Sequence, residues 1–520
     1  MITLGIDIGT SGVKAALVDH DAHGVNRVIG SASQPLTVQR PQPGWREQDP
    51  LDWWRATLAC GDALHAAHAD AMAACSAIGL SGQMHGATLL DAAGDVLRAC
   101  ILWNDGRSVA QCARLEQAWP ALRVITGNLA MPGFTAPKLL WVREHEPDIF
   151  ARIATVLLPK AFVRLQLCGE AIEEMSDASG TLWLDVAARR WSEDALAATS
   201  MDIRQMPRLV EGSDAAGRLR REIAERWGMH RVIIAGGAGD NAAGAVAVGA
   251  TDAGDAFVSL GTSGVLWCTT ATFAPNTERA VHAFCHALPD TWHQMGVLLN
   301  AASCLSWWSG ITGCSESTLL QEAESVPVTT AFFTPYLAGE RTPHNDAAVR
   351  GGFAGLDASH GRADMTRAIL EGVCYAMRDA QQALAAAGTQ LQQADLLGGG
   401  ARSPLWGQLM ADVLGLPLHT VTQGELGCAI GAARLAAMAV LGGGRDAVRE
   451  VARKPARLAT FVPHADALAR HASRHQQWQT LYRDAQQFHQ YATHNTLLTG
   501  DLDGSLTYQR RATGAILRHQ

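Results

Sequence analysis

Apolar and small or polar residues alternate from the start of the chain. Leu4, Ile6 and Ile8 fall on one face and Gly5, Asp7 and Gly9 on the other, a period of two that predicts a β-strand carrying Asp7 opposite its apolar side. A turn of Gly9-Thr10-Ser11-Gly12 leads into a second apolar run, Val13 to Val18, and turn-forming residues follow from Asp19 to Gly24. The unit reads as a β-hairpin with a wide Thr/Ser/Gly tip.

The same pattern returns almost half a chain later. Ala256, Val258 and Leu260 alternate before Gly261-Thr262-Ser263-Gly264-Val265, a copy of Gly9-Thr10-Ser11-Gly12-Val13. Such a duplication predicts two related lobes facing one cleft, residues 1–245 and 246–492. Helical segments with capping residues lie between the strands in both halves, at Asp49 to His68, Thr366 to Ala387 and Leu405 to Leu414, so the fold class is α/β. Residues 493–520 show little apolar periodicity and are expected to form a flexible tail outside the core.

Composition narrows the class further. The chain has 520 residues, 48% hydrophobic, 18% charged, with 51 glycines, which excludes a largely disordered chain and implies more than one domain of ~150 residues. A net charge of −8 without long single-sign runs advertises no basic face for nucleic acid or an anionic membrane. The longest uncharged stretch, Thr291 to Ser315, is interrupted by His293, Gln294, Asn300 and serines, and reads as buried or pocket-lining rather than membrane-spanning. Eleven scattered cysteines without CxxC or zinc spacing, and no signal-peptide pattern at the start, point to a reduced, cytoplasmic setting.

Candidate chemistry gathers at the turns. A Gly/Thr/Ser turn after a strand offers backbone N–H groups and hydroxyls to phosphate, and two copies in opposed lobes suit a nucleotide clasped between them; neither is a Walker A loop. For one copy alone, a tight hairpin is an equal reading. Asp7 sits where a carboxylate would hold hydrated Mg²⁺ or simply cap the turn, and Lys14 is either a phosphate counter-charge or a solvated strand residue. The apolar run Val232 to Ala235 enters Gly236-Gly237-Ala238-Gly239-Asp240-Asn241 and then a small-residue helix, which makes Asp240 either a general base for phosphoryl transfer or an N-cap. Met84 and His85, with Trp103, Asn104 and Asp105, combine hydrogen-bonding groups with flat apolar faces, as a sugar site requires. A buried histidine and a core tryptophan are the plain alternatives. Gly398 to Ser403 follows a strand and opens toward a helix, either as a second backbone cradle or as an ordinary strand-to-helix turn.

Up to about residue 490 these motifs resemble the FGGY carbohydrate kinases of the actin-like ATPase superfamily. The similarity is carried by Gly5 to Lys14, Gly44 to Pro50, Gly82 to Thr88, Trp103 to Arg107, Thr126-Gly127-Asn128 with Pro132 to Trp141, Gly239 to Gly244, Ser259 to Gly264, Tyr336 to Pro343 and Gly398 to Ser403. The resemblance implies two actin-like, ribonuclease H-like lobes around a nucleotide and sugar cleft. It implies ATP-dependent phosphorylation of D-xylulose at the 5-hydroxyl with Mg²⁺, and a homodimer by analogy alone. It makes Asp240 the base and Asp7 the Mg²⁺/phosphate carboxylate, with Met84, His85, Asn241 and the Trp103 to Asp105 segment around the sugar. Thr10, Ser11, Gly261, Thr262 and Ser263 become the phosphate turns, and Gly399, Gly400 and Ala401 the adenosine loop. Rival readings are a kinase of this fold for another ketose or polyol, a nucleotide-driven filament or chaperone, and a sugar sensor without turnover.

Overall fold

The structure, a computed structural model, describes residues 1–21, 26–422 and 426–495. The end of the first hairpin's turn chemistry, at residues 22–24, and all but the first three residues of the expected tail lie outside the described residues. Residues 493–495 end the helix Ala465–Asn495.

Each lobe is built on a seven-stranded mixed sheet. In the first, Ile2–Ile8 and Gly12–His20 form the predicted hairpin, with Asp7 opposite Lys14 in the register. Asn26–Pro35 extends it on one side. On the other, Cys75–Gly82 lies parallel to Ile2–Ile8, and Ile233–Ala235 lies parallel to Cys75–Gly82. The second sheet repeats this plan. Ala256–Leu260 and Gly264–Thr270 are its hairpin, Trp292–Leu298 extends it, and Ala394–Leu397 and Leu418–Val421 follow in parallel on the far side. The five-residue sequence repeat is therefore the tip of a repeated five-strand topology, in which apolar alternate positions such as Leu4, Ile6, Val258 and Leu260 are almost wholly buried.

Helices cover both sheets. Pro50–Ala67 starts where the sequence indicates, with Asp49 Oδ1 accepting from Leu51 N at 3.0 Å, and it buries Trp53, Cys60 and Leu64. The helix expected from Thr366 begins a turn earlier, at Arg362. Gly361 is the cap, its N–H bonded to the Asp364 carboxylate at 3.0 Å, while the Thr366 hydroxyl donates back to Arg362 O. The uncharged stretch from Thr291 becomes the strand Trp292–Leu298 and the helix Ala302–Thr312, the latter leaving Trp307 and Ile311 exposed.

One helix departs from a division at residue 245. Gly427–Val440 belongs by sequence to the second half but lies on the first lobe's sheet. A methyl group on Gly5 or Gly79 would stand 1.8 Å from the carbonyl oxygen of Ala429 or Ala432, so glycine in those strands is what lets the helix come this close. On its other side Gly431 approaches Ala243 of the helix Asp240–Ala247 just as tightly. These two helices therefore pack directly against each other.

Candidate active site

The candidate residues of the first lobe converge because three parallel segments end side by side. Ile8 is opposite Gly82 in one pairing, and Gly82 opposite Gly239 in the next. The Gly9 turn, the Gln83-Met84-His85 loop and Asp240 thus leave the sheet together at the carboxyl ends of its strands, the position where open α/β sheets bind ligands.

Asp240 arrives there through a bulge. The last strand pairs Ile234 with Ile78 but Ala238 with Ser81, a slip of one residue taken up at Gly236-Gly237. Gly237 has φ +75°, and a Cβ on it would meet Leu80 O at 2.1 Å, so only glycine fits. The bulge is pinned from below by Arg164, whose guanidinium donates to Gly236 O and, at 2.9 Å, to Ile172 O. Gly239, not Asp240, is the helix cap, and Asp240 occupies the first helical position. Its Oδ1 accepts from Asn241 N at 2.7 Å and Asn241 Nδ2 at 2.9 Å, which leaves Oδ2 without a partner among the described residues. Burial and the nearby Asp7 charge push its pKa up to about 6.

Behind Asp240 lies a buried polar chain. Gly239 N donates to Ser176 Oγ at 3.1 Å, Ser176 Oγ donates to Glu174 Oε1 at 2.8 Å, and Glu174 stands 3.4 Å from Lys160 Nζ. Lys160 also pairs with Glu173 at 2.6 Å and Asp177 at 3.3 Å. Burial pushes the Lys160 pKa down, but the three carboxylates outweigh it and the net direction is up. Glu173, Glu174 and Asp177 are close enough to share a cation, and the Lys160 ammonium fills that role.

Asp7 is held above its usual range by burial, opposed by the Ser81 hydroxyl and the Lys14 charge. Its Oδ1 is buried without a hydrogen-bond partner among the described residues, the condition expected of a carboxylate that takes a cation or its water shell. Lys14 itself is exposed on the neighbouring strand. Thr10 is braced by its surroundings: its hydroxyl donates to Gln83 Oε1 at 2.9 Å and accepts from Trp103 Nε1 at 3.0 Å. Ser11 is exposed at the tip.

His85 sits at φ +70° with Nδ1 donating to Gly180 O at 2.7 Å, which fixes the proton on Nδ1 and leaves Nε2 as an acceptor without a partner among the described residues. Burial, with help from the Lys138 and Arg341 charges, lowers its pKa to about 3, so the ring is neutral. Phe134 meets it edge-on at 4.7 Å, and Lys138 Nζ and Thr135 Oγ1 donate to its carbonyl. Met84 fills the space above Gly180 and Gly239. The Trp103 to Asp105 segment is a turn following the short strand Cys100–Ile101. Trp103 is 44% exposed beside Thr10, and Asn104 is exposed at the rim. Asp105 is buried, both oxygens engaged by Arg107 and the Arg46 N–H, and it holds Arg107 over Trp45 at 3.7 Å.

In the second lobe Gly261, Thr262 and Ser263 turn between strands and meet the start of the helix Ala302–Thr312, where Ala301 N donates to Thr262 O and Ala302 N to Gly261 O. Gly399, Gly400 and Ala401 open a short helical turn at the end of the adjacent parallel strand. Gly399 and Ala401 border a cavity of about 1060 Å³ whose apolar walls include Leu397, Val421, Ile430 and Phe461.

Sequence reasoning gave no site role to Ser176, Lys160, Arg164 or Lys138. A lysine within the apolar run Phe134 to Trp141, and the acidic group at Glu173 to Asp177, were visible as charges without exposed periodicity.

A repeated mixed sheet in each of two lobes, with paired carboxylates at the strand ends of one and a Gly-rich turn and cavity in the other, is the architecture of a sugar-phosphorylating enzyme. The chain belongs to the FGGY family of carbohydrate kinases: it matches the family's N-terminal domain over residues 2–247 and its C-terminal domain over residues 256–440. Among individual proteins, it is 51% identical to the xylulose kinase of Escherichia coli strain K12 over 84% of this chain and 90% of that one. It is 50% identical to the xylulose kinase of Klebsiella pneumoniae with the same coverage. The crystal structure of a xyloylose kinase from Brucella ovis superimposes with a TM-score of 0.90 at 49% identity, covering 94% of this chain and all of that one. No described helix is long and apolar enough to cross a membrane, and all eleven cysteines are free.

Proposed function

We propose that the protein phosphorylates D-xylulose at its 5-hydroxyl, consuming ATP and releasing ADP and D-xylulose 5-phosphate. The observation that carries this reading is the convergence of Asp7, His85 and Asp240 at three adjacent strand ends, in a chain half identical to two xylulose kinases. Residues 1–245 supply most of the sugar site and the first phosphate turn, and residues 246–492 the ATP site.

Oδ2 of Asp240, the oxygen not held by Asn241, accepts the proton of the 5-hydroxyl as that oxygen attacks the γ-phosphorus. A base with a pKa near 6 suffices because phosphoryl transfer through a loose transition state depends more on alignment than on proton abstraction. His85 Nε2 accepts a hydrogen bond from a sugar hydroxyl, and Met84, Trp103, Asn104, Asp105 and Asn241 complete or support the wall. Thr10 and Ser11 from one lobe, and Gly261, Thr262 and Ser263 from the other, cradle the phosphates with backbone N–H groups and hydroxyls. Lys14 adds charge nearby. Adenosine rests on Gly399, Gly400 and Ala401 at the apolar cavity. Asp7 is the residue that would hold Mg²⁺, which neutralises charge on the phosphates when bound. The reaction belongs to the cytoplasm, and family analogy adds a homodimer.

The test is coupled ADP release with Mg-ATP across D-xylulose, D-ribulose, L-ribulose, L-fuculose, glycerol and no sugar. Strong preference for D-xylulose is expected. Rates equal to the no-sugar control for every acceptor overturn the proposal.

A further inference from the structure

Arg341, half-buried, differs from the buried cations of the chain. Lys160, Arg107 and Arg98 face carboxylates, and Arg164 and Arg434 donate to backbone carbonyls. Arg341 has no ion pair among the described residues, and its only side-chain hydrogen bond runs from Nη1 to His282 Nε2 at 3.4 Å. Its chain neighbour Glu340 forms no ion pair with it: that carboxyl accepts from Leu299 N and Arg341 N, and burial raises its pKa to about 8.

The one side-chain hydrogen bond that Arg341 makes among the described residues is a constructed one. Asn128 Nδ2 donates to Thr126 O and Ala283 O, so its Oδ1 must accept from His282 Nδ1 at 3.0 Å. That places the His282 proton on Nδ1 and presents Nε2 as a lone pair to the guanidinium. The His282 ring stacks on Phe284 at 5.5 Å and meets Phe134 at 5.7 Å, and Phe134 in turn meets His85. Arg341 therefore belongs to the same aromatic group as His85, near enough for its charge to help keep His85 neutral. Its Nε and Nη2 hydrogens have no acceptor among the described residues.

We propose that Arg341 is a specificity-determining contact that donates to the O1/O2 oxygens of the ketose, the end remote from the transferred phosphate, with Asn128 and His282 as its positioning residues. The inference rests on the assignment of the sugar site to His85 and Asp240. It follows that a carboxylate at this end of a five-carbon ligand binds better than the corresponding alcohol.

The experiment compares D-xylonate with xylitol by calorimetry on the whole protein, and as competitive inhibitors against D-xylulose. A charged hydrogen bond is worth about 1.5–3 kcal/mol, so the unaltered protein is expected to bind xylonate about 10–100-fold more tightly. R341M is expected to lose that preference and to raise KM for D-xylulose by at least about tenfold with kcat within about threefold, while R341K keeps part of both. Equal binding of xylonate and xylitol by the unaltered protein, or an unchanged KM in folded R341M, overturns the assignment; if R341M does not fold, the ligand comparison and R341K decide. Because calorimetry needs no turnover, failure of D-xylulose to stimulate ADP release would count against the proposed function alone.

Discussion

Replacing Asp240 with Asn keeps the shape of the side chain and removes its charge, and the structure gives the size and sign of two consequences. Burial and Asp7 raise the Asp240 pKa from 3.8 to about 6, so the folded protein binds this proton more tightly than the unfolded chain does. The group's stabilising contribution is therefore complete below pH 3.8 and is lost as pH rises through about 6. At about 1.4 kcal/mol per pKa unit, ionised Asp240 weakens the folded state by up to ~3 kcal/mol at pH 8. Asn carries no such penalty, and its amide oxygen still accepts from Asn241, though less strongly than a carboxylate, so a net gain of about 1–3 kcal/mol is expected. Turnover should fall by about 10²–10⁴, the usual worth of a positioned base, while ADP affinity changes little. Urea unfolding of both proteins from pH 4 to 8.5, paired with ADP-release assays, reads both effects. Stability curves that coincide near pH 4 and diverge toward pH 8 are expected. A pH-independent difference, or an Asn variant less stable at pH 8, would refute the argument that Asp7 and burial strain Asp240, and near-full turnover would remove it as the base.

Other consequences are as specific. Ser176→Ala removes the acceptor for the Gly239 N–H and should lower kcat about tenfold with sugar KM within about twofold, because it loosens Asp240 without touching the sugar; a change confined to KM would contradict this. His85→Ala should raise sugar KM by about 10–100-fold. The neutral ring predicts that unaltered KM shows no inflection from His85 between about pH 6 and 9, and a histidine-like inflection there would place the ring elsewhere. Gly79→Ala drives a methyl group into the Ala432 carbonyl 1.8 Å away and should cost more than about 3 kcal/mol or prevent folding, measured by denaturant unfolding; a near-neutral result would mean the helix Gly427–Val440 is not seated as described.

Short-range pattern accounts for much of what was legible. Two hairpins with identical tips announced themselves by alternation and by repetition, and the helix at Pro50 by its capping aspartate. The strand order beyond each hairpin, and the return of Gly427–Val440 to the first sheet, depend on contacts between distant segments, for which local periodicity carries no signal. At the site, Asp7, His85 and Asp240 were recognisable as polar residues at strand ends, but their supports were not. Ser176 and Arg164 act through buried partners 63 and 72 residues along the chain, and Lys160 through carboxylates that only the fold turns inward. Arg341 was visible only within the Tyr336 to Pro343 motif, because whether a cation has an ion-pair partner among the described residues is a property of the fold.

The central claim is that the 5-hydroxyl of D-xylulose lies against Asp240. Carbon and phosphorus NMR of the product formed from D-xylulose and Mg-ATP tests it most directly. Phosphorus coupling at C5, with an ester on no other carbon, is predicted. Coupling at C1, or no sugar phosphate at all, would contradict the account.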